Sequence, residues 1–221
     1  MKNYQKFLIF PLVLLLFICT ACEMPEIYWG NDPSRLEYGF AREISQEEQA
    51  LRLNMIQTAE KWLGTVQGTD EHRKILSIYN EHTPLAQGYI VQESDKWCAT
   101  FVSTVAIECD LTHIIPTECG CQRQIGLFEE ISCWQEDDSY VPLPGDIIYY
   151  SSKDENPKED CTGWSDHVGI VAGTCDDYIK VIEGNFVGTV SYHYIKINSK
   201  GIRGYALPDY AGQLSPEGET P

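Results

Sequence analysis

Positive charge is what this sequence has least of. Sixteen Lys and Arg face 33 Asp and Glu, for a formal net charge of −17. That deficit argues against a nucleic-acid partner, whose phosphates would be repelled, and against electrostatic capture by an anionic wall or membrane. No internal repeat is visible, and no cysteine spacing matches the paired C-x₂-C knuckles of a structural zinc site. No apolar stretch suffices for a membrane span either. The run from Phe7 to Ile18 is 12 residues, where a spanning helix needs about 20.

That short run has another use. Lys2 and Lys6 precede it and Cys19-Thr20-Ala21-Cys22 follow it, the order of charged, apolar and cleavage regions in a bacterial export signal. The ending is similar to a lipoprotein signal, with Cys19 where an aliphatic residue is usual. Residues 1–21 are therefore expected to be a signal peptide, with Cys22 as the lipidated mature N-terminus. Plain secretion after Ala21 and a membrane-tethered signal anchor are the alternatives. Two acyl chains would hold an acidic protein at a membrane that its charge does not attract.

What is present suffices for one domain: 43% hydrophobic and 22% charged residues over 221 positions. Residues 22–44 mix Pro25, Gly30, Pro33 and Gly39 with scattered aromatics, and read as a tether or as a strap packed on the domain. Ser45 with Glu48 forms a capping box. Leu51, Met55, Ala59, Trp62 and Leu63 then mark one face of a helix that Gly64 ends. A second helix is predicted over Asp70 to Asn80, with Ile75, Leu76, Ile78 and Tyr79 buried. A third opens near Cys98 and runs to about Cys109. A short helix is expected around Gln122 to Ile131, inside an irregular segment that walls part of a substrate groove. After Pro142 and Pro144 come short β-branched and aromatic runs: Asp146–Tyr150, His167–Ala172, Tyr178–Glu183, Val190–Ile197 and Ile202–Ala206. Helices first and strands after make an α+β layout, with the domain over 45–208 and a frayed tail over 209–221.

Chemistry concentrates at Trp97-Cys98-Ala99-Thr100-Phe101-Val102-Ser103. Polar residues give way there to a helix-compatible apolar run, which places a thiol at a helix N-terminus, where unpaired N–H groups favour thiolate. Pro144-Gly145-Asp146-Ile147-Ile148, Asp166-His167-Val168-Gly169-Ile170-Val171 and Ile182-Glu183-Gly184-Asn185 follow in order. Together these four segments resemble the CHAP family of cysteine, histidine-dependent amidohydrolases and peptidases, a papain-like group that cuts peptidoglycan.

The resemblance implies a papain-like (NlpC/P60-type) fold, with N-terminal helices packed on an antiparallel β-sheet. It implies Cys98 as nucleophile, His167 as base, and Glu183 with Asn185 as orienting partners. Two apart on one strand, Glu183 and Asn185 are expected to share a face. His193, between Tyr192 and Tyr194, is the serious rival to His167 among five histidines. Asp146 and Asp166 read as turn or capping residues. Trp97 stands where many members carry Gln, which leaves the backbone N–H of Cys98 as the expected oxyanion donor.

The calcium loop of some relatives is missing from Gln92–Lys96, so no metal or cofactor is expected. Cys109, Cys119, Cys121, Cys133, Cys161 and Cys175 remain, enough for up to three disulfides in an exported protein. Cys119 and Cys121, separated by Gly120 alone, are each expected to bridge elsewhere. The expected activity is an N-acetylmuramoyl-L-alanine amidase or peptidoglycan endopeptidase working as a monomer, with peptidoglycan as substrate. An NlpC/P60-type endopeptidase and an inactive wall-binding lipoprotein are the competing classes.

Overall fold

The computed structural model describes residues 42–151 and 163–212. The export signal, Cys22, most of the tether, Cys161 and most of the tail lie outside them. Four helices come first: α1 (Gln46–Glu60), α2 (Asp70–Glu81), α3 (Cys98–Glu108) and α4 (Cys121–Glu130). Six strands follow: β1 (Trp134–Gln135), β2 (Ile147–Tyr150), β3 (His167–Cys175), β4 (Tyr178–Phe186), β5 (Thr189–Lys196) and β6 (Ile202–Ala206). They form one antiparallel sheet in the order β1-β6-β2-β3-β4-β5. The α+β layout expected from the sequence, with helices packed on an antiparallel sheet, is the one observed. The differences include a two-residue β1 without a strand-like pattern and a β3 and a β4 that each run three residues further, to Cys175 and Phe186.

The helix starts follow from their caps. Ser45 Oγ accepts from the Glu48 N–H at 3.0 Å, and Thr69 Oγ1 accepts from the His72 N–H at 3.3 Å. Gly64, at φ 84°, turns the chain after α1. Leu63, expected on the buried face, lies past the helix end and is largely exposed.

The pleat of the sheet sorts its apolar residues onto two faces. Ile147, Tyr149, Val168, Ile170 and Ile182 pack under the helices with Phe101, Val102, Val105 and Met55. Ile148, Tyr150, Val171, Ile179, Val181 and Tyr205 form a smaller cluster of their own. The α3 helix is buried along nearly its whole length, Cys98 to Ala106. A helix apolar on every side needs cover on every side, and α1, α2, β3 and β4 supply it.

Asp146 does more than shape a turn. It is fully buried, accepts from the Leu143 N–H at 2.8 Å and pairs with Arg52 of α1 at 2.8 Å. Arg52 also reaches the Pro144 carbonyl at 3.1 Å and Glu48 at 2.8 Å. The Pro-Gly-Asp segment thus clamps the start of β2 to α1.

Candidate active site

Cys98 is the first residue of α3 and only 3% exposed. Trp97, fully buried at the cap position, packs edge-on to Phe101 and against the ring of His72, 4.7 Å away. His72 and Trp97 therefore fix the entry of the chain into α3. The close approach of α3 to β4 depends on a residue without a side chain. A Cβ on Gly184 would collide with Phe101 and come within 3.0 Å of Trp97. Gly169 plays the same part within the sheet, since a Cβ there would run into Val181 and into Glu183 Cγ at 2.7 Å. Two glycines of the sequence motifs are thus explained by the space that helix and carboxylate require.

His167 opens β3 beside Tyr150, its partner in β2. Ser165, buried just before it, donates to the Tyr150 carbonyl at 3.1 Å or the His167 carbonyl at 3.0 Å. The Ser165 N–H donates to Gln122 of α4 at 3.2 Å. The imidazole interacts with the Cys98 sulfur. Its Nε2 lies 3.1 Å from Glu183 Oε2, so Nδ1 is the nitrogen left to face the sulfur. Glu183 is fully buried, yet both of its oxygens are engaged. Tyr150 donates its hydroxyl to Oε1, and His193 Nδ1 stands 3.1 Å from the same oxygen.

The electrostatics follow from these contacts. The Cys98 thiol is held well below its ordinary value, first by a hydrogen bond from Cys121, against the upward push of burial, then by His167 and the Ala99 N–H. Burial pushes His167 down, but its bonds to the Cys98 sulfur and to Glu183 outweigh that and hold it up, at about 10. Burial would raise Glu183, yet His167, His193 and Tyr150 together keep it below the usual carboxylate range. Tyr150, pushed far up by burial and by the Glu183 charge, stays a donor. The resting state these shifts favour is a thiolate–imidazolium pair steadied by a buried carboxylate.

Cys98, His167 and Glu183 therefore meet, as expected from the sequence. Asn185 does not join them. The β4–β5 register shifts between Glu183 and Phe186, and Asn185 adopts φ 59°. This bulge breaks the two-residue alternation that would have put both side chains on one face. Among the described residues, no hydrogen bond links the Asn185 side chain to His167. Phe186 comes into the site instead, stacked on His193 at 4.5 Å and edge-on to His167 at 6.3 Å.

The rival histidine is in the site too, on the far oxygen of the same carboxylate. The alternation of Tyr192, His193 and Tyr194 was the available signal, and it read as competition where the structure shows a shared partner. Tyr150 gave no signal, because its role depends on the pairing of β2 with β3. Of the disulfides that the sequence allows, none forms among the described residues: Cys109, Cys119, Cys121, Cys133 and Cys175 are free. Cys121 lies 3.6 Å, sulfur to sulfur, from Cys98.

Two grooves are found among the described residues. One, of about 510 Å³, is lined by Tyr89, Asp95, Lys96, Cys119 and Arg123, flanking the two thiols in sequence. Cys119 and Arg123 come to it from the irregular segment. The other, of about 380 Å³, is lined by Tyr150, Phe186, His193 and Tyr194.

Among curated proteins no relative matches this chain. Two solved structures align with part of the chain. The crystal structure of Ly7917 aligns at TM-score 0.40 and 14% identity, over 72% of this chain and 62% of that one. The crystal structure of Ly7917 with the hydrolyzing product of MDP aligns at 0.34 and 18%, over 52% and 54%. The chain thus spans less than two thirds of either. The family model described as CHAP domain matches residues 88–185, from the loop before the nucleophile segment to Asn185.

Proposed function

We propose that the chain is a peptidoglycan hydrolase that cleaves an amide bond through Cys98, His167 and Glu183. The observation that carries this reading is the Cys98 sulfur at the head of α3, beside an imidazole whose Nε2 is held by a buried carboxylate. In the proposed cycle the thiolate attacks the amide carbonyl. Negative charge on the carbonyl oxygen is met by the free N–H groups of the first turn of α3. The imidazolium of His167 protonates the leaving amine, which departs and leaves a thioester on Cys98. His167, now neutral, takes a proton from water, and the resulting hydroxide releases the acid and restores the thiolate. Glu183 keeps Nε2 protonated and Nδ1 aimed at the sulfur throughout.

Incubation of purified sacculi with the protein should release soluble fragments, and Cys98→Ala should lower that rate by at least about 10⁴-fold. Full activity of Cys98→Ala would end the proposal. Mass spectrometry of the fragments separates an amidase, which frees L-alanine amino groups from muramic acid, from an endopeptidase cutting within stem or bridge. An inactive wall-binding protein has no use for an activated thiol, and selective alkylation of Cys98 over the other cysteines decides against that class.

The export signal completes the proposal with a location. The domain would act outside the cell membrane, held by lipid on Cys22. Cys22→Ala should move the protein from the membrane fraction to the soluble one. An unchanged distribution would leave plain secretion or a signal anchor.

A further inference from the structure

Cys121 is in contact with the nucleophile, and amide hydrolysis leaves it unused. Its sulfur is 3.6 Å from that of Cys98, with both residues buried. Each is the first residue of its helix, α3 or α4, so the pair joins two segments 23 positions apart. The other described thiols have different neighbours. Cys119 sits 3.6 Å from the Arg123 guanidinium, Cys109 faces the Asn54 carbonyl at 3.7 Å, and Cys175 lies 3.9 Å from Asp176. A protonated thiol packed on a thiolate can be only a spectator, or it can be the second half of a reversible bond.

We infer that Cys98 and Cys121 are a redox pair: a hydroperoxide oxidises the Cys98 thiolate, and Cys121 closes a disulfide that shuts the active site reversibly. The thiolate attacks one peroxide oxygen and the O–O bond breaks. His167 gives its proton to the departing oxygen, so water (or an alcohol) leaves and Cys98 becomes a sulfenic acid. The Cys121 sulfur then attacks the Cys98 sulfur. The S–O bond breaks, and oxygen leaves as water with the Cys121 proton. The two sulfurs have together supplied the two electrons that reduced the peroxide. They need to close by roughly 1.5 Å to reach disulfide bonding distance.

The charges suit this order. Cys121 is held well above its ordinary value by its hydrogen bond to the Cys98 sulfur, by burial and by the Cys98 charge. It therefore stays a protonated donor while Cys98 is a thiolate. Once Cys98 is a neutral sulfenic acid, that charge is gone and Cys121 is freed to attack.

The inference takes from the proposed function only that Cys98 is a reactive thiolate, and its test does not need the substrate. The protein is treated with a small excess of hydrogen peroxide at neutral pH, alkylated and digested without reduction. A Cys98–Cys121 cross-linked peptide, lighter by two hydrogens and lost on treatment with dithiothreitol, is expected. Cys119→Ser should keep the cross-link. In Cys121→Ser, Cys98 should run on to the sulfinic acid, which dithiothreitol does not reverse. If Cys98 in the unaltered protein reaches sulfinic acid as fast as in Cys121→Ser, links to another cysteine, or stays reduced, the pair has no such role. A cross-link in a protein that leaves sacculi intact would sink the hydrolase reading alone. Hydrolysis without the cross-link would sink this inference alone.

Discussion

Asp146 and Glu183, two carboxylates with no exposed surface, are surrounded in nearly the same way. Asp146 accepts from Arg52, from the hydroxyl of Tyr140 and from the Leu143 N–H. Glu183 accepts from His167, from the hydroxyl of Tyr150 and from His193. Burial and a full set of donors therefore do not by themselves mark a catalytic group. The difference lies in the cations. The Arg52 guanidinium never releases its proton and is sealed in, its side chain 4% exposed. The histidines of Glu183 can exchange theirs, and their side chains are 13% and 32% exposed. One cation closes a clamp; the other holds a proton that it can give up. The balance of charge follows suit: burial wins at Asp146 and pushes it up, whereas the donors win at Glu183 and hold it down.

Exchanging the two defects breaks this comparison most sharply. Glu183→Gln should lower kcat on sacculi by about 10³- to 10⁴-fold with a much smaller change in KM, because the imidazole loses its orientation and its counter-charge. Arg52→Met should do the reverse. It leaves Asp146 buried without its cation and should cost about 3–5 kcal/mol of unfolding free energy in a urea titration, while the molecules that stay folded keep their turnover. Turnover loss in the arginine variant comparable to that of Glu183→Gln would mean that the clamp and the site are one unit.

The same contrast explains what the sequence made legible. The cap residues, the apolar faces of α1 and α2 and the strand runs are local patterns, and the elements they predict are the ones observed. The positions of Cys98, His167 and Glu183 were legible because Cys98 and His167 open a helix and a strand and all three have motif residues around them. Asn185 was misplaced because a bulge is set by how β4 and β5 pair, and nothing in Glu-Gly-Asn distinguishes a flat strand from one that turns at φ 59°. Cys121 and Tyr150 were silent for a related reason. Each gains its role from a neighbour more than 20 positions away. The glycine pair Gly169 and Gly184 was visible in the motifs, but the collisions they avoid belong to tertiary packing.

Acid and alkali sharpen the comparison from another side. His167 is raised above its ordinary 6.5, to about 10, so the stabilisation it receives is complete below 6.5 and is lost as pH rises towards 10. Glu183 is lowered from 4.5, so its stabilisation is complete above 4.5 and is lost as pH falls through the depressed value. Both contributions are therefore whole from pH 4.5 to 6.5 and still largely present at neutral pH. Turnover should be broadly maximal around neutrality and decline on the alkaline side as the imidazolium that protonates the leaving amine disappears, with its midpoint well above 7. Rates measured from pH 5 to 11 on a constant quantity of sacculi check this. An alkaline midpoint near 6.5 would mean that His167 is not paired with a thiolate.

The smallest effects separate the two donors that share Glu183 Oε1. Tyr150→Phe removes a hydroxyl bonded to a charged oxygen, an interaction on the scale of 1.5–3 kcal/mol. Because His193 remains on that oxygen, a fall in kcat of about tenfold is expected, the lower end of that range. His193→Gln keeps a donor in reach and should cost kcat about threefold. It should also raise KM, because the His193 ring, stacked on Phe186, forms part of the 380 Å³ groove. The double variant discriminates. If both side chains act by fixing one oxygen, the second substitution removes less in the presence of the first than alone, or more once no donor remains, and the effects on kcat do not multiply. Simple multiplication of the two losses would show that Tyr150 and His193 reach the reaction by separate routes, and Glu183 would then be held in place by His167 and the packing of Gly169 alone.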